Sequence, residues 1–245
     1  MSQEQHESPR VAAVFGGASG IGAAIAEALT TAGYAVHVAD LTTSPAVDVT
    51  EEEAVSAFLE QTREGEGRLD LVVNSAGSST LGLVTELAVE EFRRVVDVCL
   101  TGAFIVLKHA GRLVDDGGSI ISLTSLNARQ PGTGMAAYCS AKAGLAMLTE
   151  VTALELAPRR VRVNAISPGL VPTPLTAPAL EIAGIEDDYL ANTPLGRAGT
   201  PAEIAEAALY LANAAWVTGE VLDINGGAHL MRYPDLHAHV MRAFG

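Results

Sequence analysis

The segment Val11 to Phe15 (VAAVF), followed at once by Gly16-Gly17-Ala18-Ser19-Gly20-Ile21-Gly22, constrains the fold of this chain more than any other stretch. A short, wholly apolar run bounded by turn residues reads as a buried strand. The alanine-rich segment after it, through Thr31, carries apolar residues at helical spacing, and a strand returns at Ala35 to Ala39. Strand, helix and strand in this order call for a parallel sheet. In Gly16-x-x-x-Gly20-x-Gly22, glycine lets the backbone turn sharply and approach a ligand closely. The helix that follows offers its amide-rich, positive end to a pyrophosphate. Such turns also occur for packing alone, but here strand and helix flank the turn correctly.

Asp40 closes the second strand, about where a ribose-binding carboxylate belongs. A carboxylate accepts both adenosine ribose hydroxyls and repels a 2′-phosphate, whereas NADP sites generally supply a nearby arginine or lysine. Gly17, Ala18, Leu41 and Thr42 are all neutral, so NAD is expected in preference to NADP.

The alternation continues with an acidic helix from Glu51 to Arg63 and a strand from Leu69 to Val73. A helix from Val89 to Gly111 and a strand from Ser119 to Leu123 come next. A helix around Tyr138, a strand from Val161 to Ile166, a helix from about Ala202 to Ala212 and a last strand from Val221 to Ile224 complete it. The expected fold is a Rossmann-like, doubly wound α/β sheet of about seven parallel strands with helices on both faces, a single domain over residues 1–245. No repeat, linker or charge block marks a boundary. Residues 1–9 read as a flexible start, and 228–245 as a tail apolar enough to cover a neighbour or to close a site. Only seven residues separate Asp40 from Asp48, too few for a helical crossover of about 10–12 residues, so a loop is expected there. The proline-rich stretch 172–194 reads as a lid or binding loop. Its apolar side chains and its lack of Lys or Arg favour an apolar, neutral ligand, or else serve only to pack the lid on the body.

With 49% hydrophobic and 18% charged residues, the chain can bury a large core. Its net charge of −14 argues against binding nucleic acid or an anionic membrane. Two cysteines, Cys99 and Cys139, suit a reduced cytoplasmic setting. The first ten residues lack the basic start and apolar stretch of a signal peptide, and no run resembles a membrane span. The histidines form no metal-ligand spacing, so no metal is expected, and His237 and His239 read as surface residues.

Tyr138 and Lys142 stand four apart in a chain with five tyrosines and two lysines, a spacing that chance gives ~0.04 of the time on simple counting. On a helix, positions i and i+4 share a face. A cation about 4 Å from a phenolate contributes roughly 4 kcal/mol at an effective dielectric of about 20, enough to lower a tyrosine pKa by about 1–3 units. The phenol would then serve acid/base chemistry near neutral pH. An exposed tyrosine beside a solvating lysine is the competing reading.

Taken together, Gly16, Gly20 and Gly22, Asn74-Ser75-Ala76-Gly77 after a strand, Ser125 thirteen residues before Tyr138, and Lys142 four after it resemble the short-chain dehydrogenase/reductase family. The likeness continues through Arg162-Val163-Asn164, Pro168-Gly169, Thr173, Pro194-Leu195-Gly196-Arg197 and Gly226-Gly227, covering nearly all of Arg10 to Gly227. The resemblance implies reversible hydride transfer between NAD and a secondary alcohol or ketone. It implies Tyr138 as general acid/base and Lys142 as the ribose ligand that holds the phenol's pKa down. Ser125 is implied as the hydroxyl that positions the substrate oxygen. It further implies cofactor contacts from Ser19, Ile21, Ala76, Gly77, Pro168, Gly169 and Val171, with Asp48 and Val49 at the adenine, Asn74 beside the cofactor and Thr173 near the carboxamide. Asn127, Arg129 and Leu175 are candidate substrate contacts, with Arg129 able to accept a carboxylate or to face solvent. A homotetramer built on helix pairing and the last strand is implied, with a dimer as the alternative.

Three positions depart from the family pattern. Phe15 stands where threonine usually precedes the first glycine, and Ser75 replaces a frequent asparagine. Cys99 occupies the place of an asparagine that supports a water chain from the lysine, and a thiol cannot reproduce an amide's hydrogen bonds. These departures give some weight to a second reading, a nucleotide-sensing or scaffold protein that kept the fold and lost catalysis. Cys99 itself reads as a buried apolar residue rather than a redox nucleophile, since Asp97 beside it opposes thiolate formation. Cys139 is expected to pack on another side of its helix.

Overall fold

The computed structural model describes residues 8–244, so most of the expected flexible start lies outside the described residues. Among them six strands form one parallel sheet: β1 (Val11–Phe15), β2 (Ala35–Ala39), β3 (Leu71–Asn74), β4 (Ser119–Leu123), β5 (Arg162–Pro168) and β6 (Val221–Ile224), in the order β2-β1-β3-β4-β5-β6. The expectation of about seven strands is therefore one too many. Residues 40–51 hold neither helix nor strand. Val47 N donates to the Asp40 carbonyl (2.9 Å) and folds the stretch back on itself, so the chain gains no crossover and β2 stays at the sheet edge.

Both faces of the sheet are covered, which is why its strands are mostly apolar rather than strictly alternating. Val11, Ala13 and Phe15 pack with α2 (Glu52–Glu66), α4 (Gly102–Leu113) and α5 (Ala136–Leu156); Ala12 and Val14 pack with α1 (Gly20–Thr31) and α8 (Pro201–Asn213). Phe15 is fully buried and meets Phe58 of α2 edge-on, with ring centroids 5.3 Å apart. The departure at this position thus replaces a hydroxyl with an aromatic pair, a contact of about 0.5–1.5 kcal/mol beyond its buried area. Helix α8 starts on a capping box between Thr200 and Glu203, with Pro201 in its first turn.

The expected helix from Val89 to Gly111 is interrupted. Helix α3 (Val89–Val96) passes into a π turn over Asp97–Thr101 before α4 begins. Such turns are rare and concentrate at functional sites. The stretch 172–194 is not only loop either, for it contains α6 (Ala177–Leu180) and α7 (Ile185–Ala191).

The tail ends in α9 (Leu236–Phe244) and is tied to α7 through Asp188. Asp188 Oδ1 pairs with Arg232 (2.6 Å) and accepts from Asn192 Nδ2 (3.0 Å), while Oδ2 accepts from Asp235 N (3.2 Å) and lies 3.2 Å from His239 Nε2. His239 is therefore partly buried against a carboxylate rather than a surface residue, contrary to expectation. Burial raises the Asp188 carboxyl, but hydrogen bonds from Arg232, His239 and Asp235 outweigh it and hold the group below the usual carboxylate range. A depressed carboxyl stabilises the fold fully above its unfolded value of about 3.9 and loses that contribution as pH falls through the folded value. Asp188→Ala should cost about 2 kcal/mol near neutral pH, or roughly 4–8 °C in Tm for a chain of this size. The variant and the parent should converge in melting scans as pH falls through the depressed folded value of Asp188.

Candidate active site

The strand order reverses beside β1, with β2 on one side and β3 on the other. Ligands of open α/β sheets bind at this point, beyond the carboxyl ends of the strands. Phe15 and Asn74 are in register there, so the turns that follow β1 and β3 face one another. They meet closely. A Cβ on Gly16, whose φ is +67°, would stand 2.7 Å from Ala76 N, and one on Gly22 would stand 2.0 Å from the Gly16 carbonyl oxygen. Side chains at these positions would destroy the turn.

The cleft above this crossing has a volume of about 260 Å³ and is lined by Gly16, Ser19, Gly20, Ile21, Asp40, Asp48, Val49, Ala76, Gly77 and Thr173. The other residues expected at the cofactor lie elsewhere. Asn74 is buried and supports the turn from below, its Oδ1 accepting from Ala76 N (3.2 Å). Val171 faces the α1/α8 side of the core rather than the cleft. Pro168 and Gly169 line the neighbouring cavity, because β5 ends one strand beyond β4 and across from the glycine turn.

Asp40 accepts from Thr42 N (3.1 Å), Thr42 Oγ1 (2.9 Å) and Ala18 N (3.3 Å). Burial raises its pKa, but these hydrogen bonds prevail and hold the carboxyl below its ordinary value. It is ionised at neutral pH. Asp48 Oδ1 accepts from both the backbone and the hydroxyl of Thr50 (2.9 and 2.8 Å), which fixes the loop across the far end of the cleft.

Beside this cleft lies a second cavity of about 410 Å³, lined by Ser125, Asn127, Met135, Tyr138, Leu175, Tyr189, Tyr233, Leu236 and Val240 among others. Leu175 borders both spaces. Ser125 caps a short turn after β4, its Oγ accepting from Asn127 N (3.2 Å). Tyr138 and Lys142 lie in the first two turns of α5. Lys142 is 3% exposed, its Nζ donates to the Leu123 carbonyl (2.7 Å), and it stands 5.6 Å from the Tyr138 ring centroid. An exposed tyrosine beside a solvated lysine is therefore not what the chain builds. An ammonium has three donors, so two stay uncommitted in a buried position beside Gly77.

Cys99 is 1% exposed on the π turn and packs against Ala137 and Ala141 of α5, as a buried cysteine was expected to do. Its thiol does more than the sequence suggests. Sγ donates to the Ser78 carbonyl (3.1 Å) and accepts from Ser78 N (3.3 Å), so it makes the two-point contact with the backbone that an amide is suited to make. Cys139 packs at the Tyr233 side of α5.

Arg129 is not part of the cavity. It forms an ion pair with Asp223 of β6, which removes it as a substrate contact. Among the described residues, no charged side chain lines the cavity. Its polar groups include three phenols. Tyr189 from α7 and Tyr233 from the tail share a hydrogen bond of 2.6 Å and stack edge-on at 5.7 Å. Burial pushes Tyr189 up to about 12, with the Tyr233 hydrogen bond opposing and the charges of Tyr138 and Asp188 adding to the rise. Burial raises Tyr233 further still, with the neighbouring Tyr189 adding to the rise and the Asn127 side chain opposing it. Sequence reasoning read the 172–194 stretch and the tail only as apolar segments and missed the pairing of Tyr189 with Tyr233, because the two lie 44 residues apart.

The cleft fits a nicotinamide dinucleotide, with side-chain-free backbone at the turn, an ionised carboxylate at the end of β2 and uncommitted ammonium donors between cleft and cavity. Comparison with known proteins agrees. A family model described as enoyl-(acyl carrier protein) reductase matches residues 16–229. Cis-4-hydroxycyclohexanecarboxylate dehydrogenase of Sinomonas cyclohexanicum is 35% identical over 240 residues, 89% of this chain and 96% of that protein. A short-chain type dehydrogenase/reductase from Mycobacterium ulcerans superimposes with a TM-score of 0.92 at 33% identity, covering 96% of this chain and 95% of the other. A small-chain dehydrogenase in complex with NADPH superimposes with a TM-score of 0.82 at 32% identity, covering 91% and 99%. Likeness that extends over most of the chain, in sequence and in three dimensions, leads to one conclusion: this protein belongs to the short-chain dehydrogenase/reductase family, oxidoreductases that work with a nicotinamide cofactor.

Proposed function

We propose that this protein is an NAD-dependent dehydrogenase or ketoreductase that interconverts a neutral, largely apolar secondary alcohol and its ketone. The observation that carries the reading is the meeting of two spaces at Leu175, one bearing Asp40 and the glycine turn, the other bearing Ser125 and Tyr138, with buried Lys142 between them. The Sinomonas relative, by its name, acts on a secondary cyclic alcohol, which supports alcohol chemistry here.

NAD, when bound, supplies the hydride acceptor, and the protein supplies orientation and electrostatics. Lys142 would give its two uncommitted donors to the nicotinamide ribose, and its charge would stabilise negative charge growing on the Tyr138 oxygen. Tyr138 would take the proton of the substrate hydroxyl in oxidation and return it in reduction. Ser125 Oγ, held by its turn, would donate to the substrate oxygen and fix the carbon that reacts. The 172–194 segment and the tail would act as a lid that excludes water. Exposed Phe104, Met147, Val151 and Leu154 on α4 and α5 suit the helix pairing of a tetramer.

The scaffold alternative loses its main support, since Phe15 gains a ring partner and Cys99 holds the Ser78 backbone. A panel of secondary alcohols with NAD⁺, read by NADH absorbance, tests the proposal; no turnover of any member by protein that binds NADH would refute it. Asp40 should set the cofactor preference. Titration should give tighter binding of NADH than of NADPH by about tenfold or more, and Asp40→Ala should remove most of that ratio by deleting a charge-assisted acceptor and a repulsion. Tighter binding of NADPH by the parent protein would contradict the assignment.

A further inference from the structure

The cavity holds a hydrogen-bonding site that the hydride-transfer chemistry does not use. Tyr189 comes from α7 and Tyr233 from the tail, and their hydroxyls meet inside the cavity that also contains Ser125 and Tyr138. Two phenols carry two protons, and the bond between them uses one. The Asn127 amide nitrogen is itself a donor, given to the Gln130 carbonyl (3.1 Å), and so cannot take the other. Either hydroxyl can be the donor in that bond, and the proton of the other then has no partner in a cavity lined otherwise mainly by apolar groups. An unused donor in such a place is costly unless a ligand takes it.

We infer that the Tyr189–Tyr233 pair is a second substrate-binding point, which selects neutral alcohols or ketones bearing a further acceptor oxygen (ether, hydroxyl or carbonyl) away from the reacting carbon. The inference rests on the dehydrogenase reading above and narrows its substrate class. Three observations set the chemistry. Both phenols are held protonated far above neutral pH, so they act as donors and not as bases. Among the described residues no cation lines the cavity, and the one considered from sequence, Arg129, is engaged by Asp223. Arg232 and His239, which tie the tail to α7 beside Tyr189, are both engaged by Asp188, so neither is free to receive a carboxylate at this end. The skeleton between the two oxygens is bounded by Met135, Leu175, Ile185 and Leu236, which suits a compact carbocycle or short chain.

The test compares cyclohexanol, 4-methoxycyclohexanol and cis-4-hydroxycyclohexanecarboxylate as substrates with NAD⁺. The parent protein should favour 4-methoxycyclohexanol over cyclohexanol in kcat/KM by about tenfold, the value of one well-placed neutral hydrogen bond, and should not favour the carboxylate. Tyr189→Phe keeps the ring and its edge-on packing, and should bring the methoxy-to-plain ratio to about one, chiefly through KM. Tyr233→Phe removes the group that orients Tyr189, and should lower the ratio in part. A ratio that survives Tyr189→Phe, both constants falling together as they would for a packing defect, overturns the inference and leaves the dehydrogenase reading standing. Preference for the carboxylate overturns it likewise. NADH binding without turnover of any of the three sinks the parent reading, and this inference with it.

Discussion

Replacement of Tyr138 by phenylalanine should reduce turnover at least about 10³-fold, in the range that a positioned proton donor and acceptor contributes, while NADH affinity changes by no more than about twofold. The asymmetry follows from position. Tyr138 lines the cavity shared with Ser125, whereas the residues proposed to hold the dinucleotide line the cleft beyond Leu175. The ring keeps its packing against α3 and the lid in the variant, since only the oxygen is removed. Stopped-flow absorbance for the hydride step, together with a fluorescence titration of NADH, separates the two effects. Residual turnover within tenfold of the parent would remove Tyr138 from its assigned role.

The second large effect is expected at Gly22. Alanine there would place its Cβ 2.0 Å from the Gly16 carbonyl oxygen, a backbone atom on the opposite limb of the turn. No rotamer relieves such a contact, so the turn must open, and the amides it aims at the pyrophosphate move with it. Dinucleotide affinity should fall about 100-fold or more, and stability by roughly 3 kcal/mol. Gly65→Ala is the matching control. Gly65 lies in α2 with nothing within 4 Å of its Cβ direction, so the same added methyl should stabilise the helix by about 0.5–1 kcal/mol and leave NADH binding intact. Equal behaviour of the two variants in a thermal melt and a titration would contradict the close-packed turn described above.

What could be read from the sequence divides along a physical line. The glycine turn, Asp40, and the strands were legible because each is specified by contiguous residues: an unbroken apolar run for a strand covered on both faces, and glycine where a side chain cannot fit. Boundaries moved by a few residues, as with the strand expected at Leu69 to Val73 and found at Leu71–Asn74. The π turn at Asp97–Thr101 was not legible, since one i to i+5 hydrogen bond leaves no mark in composition or spacing. The site around Tyr189 and Tyr233 was hidden for a different reason. Its contacts, with those of Asp188 and His239, join positions 44 and 51 apart, and nothing local to either partner announces the other. Arg129 shows the converse error, where nearness to Ser125 along the chain gave no information about the direction of its side chain, which Asp223 decides.

The abbreviated connection after β2 has an evolutionary corollary. Asp40, Leu41, Val47, Asp48 and Val49, which form one wall of the cleft, all lie within the single loop of residues 40–51. Ser125, the Tyr138 and Lys142 pair on α5, and the 172–194 segment lie in the second half of the chain. Cofactor taste and reaction chemistry are therefore encoded on separable pieces of the gene. On the proposed assignment, exchange of that one loop should alter cofactor preference while the residues around Ser125 and Tyr138 keep their places.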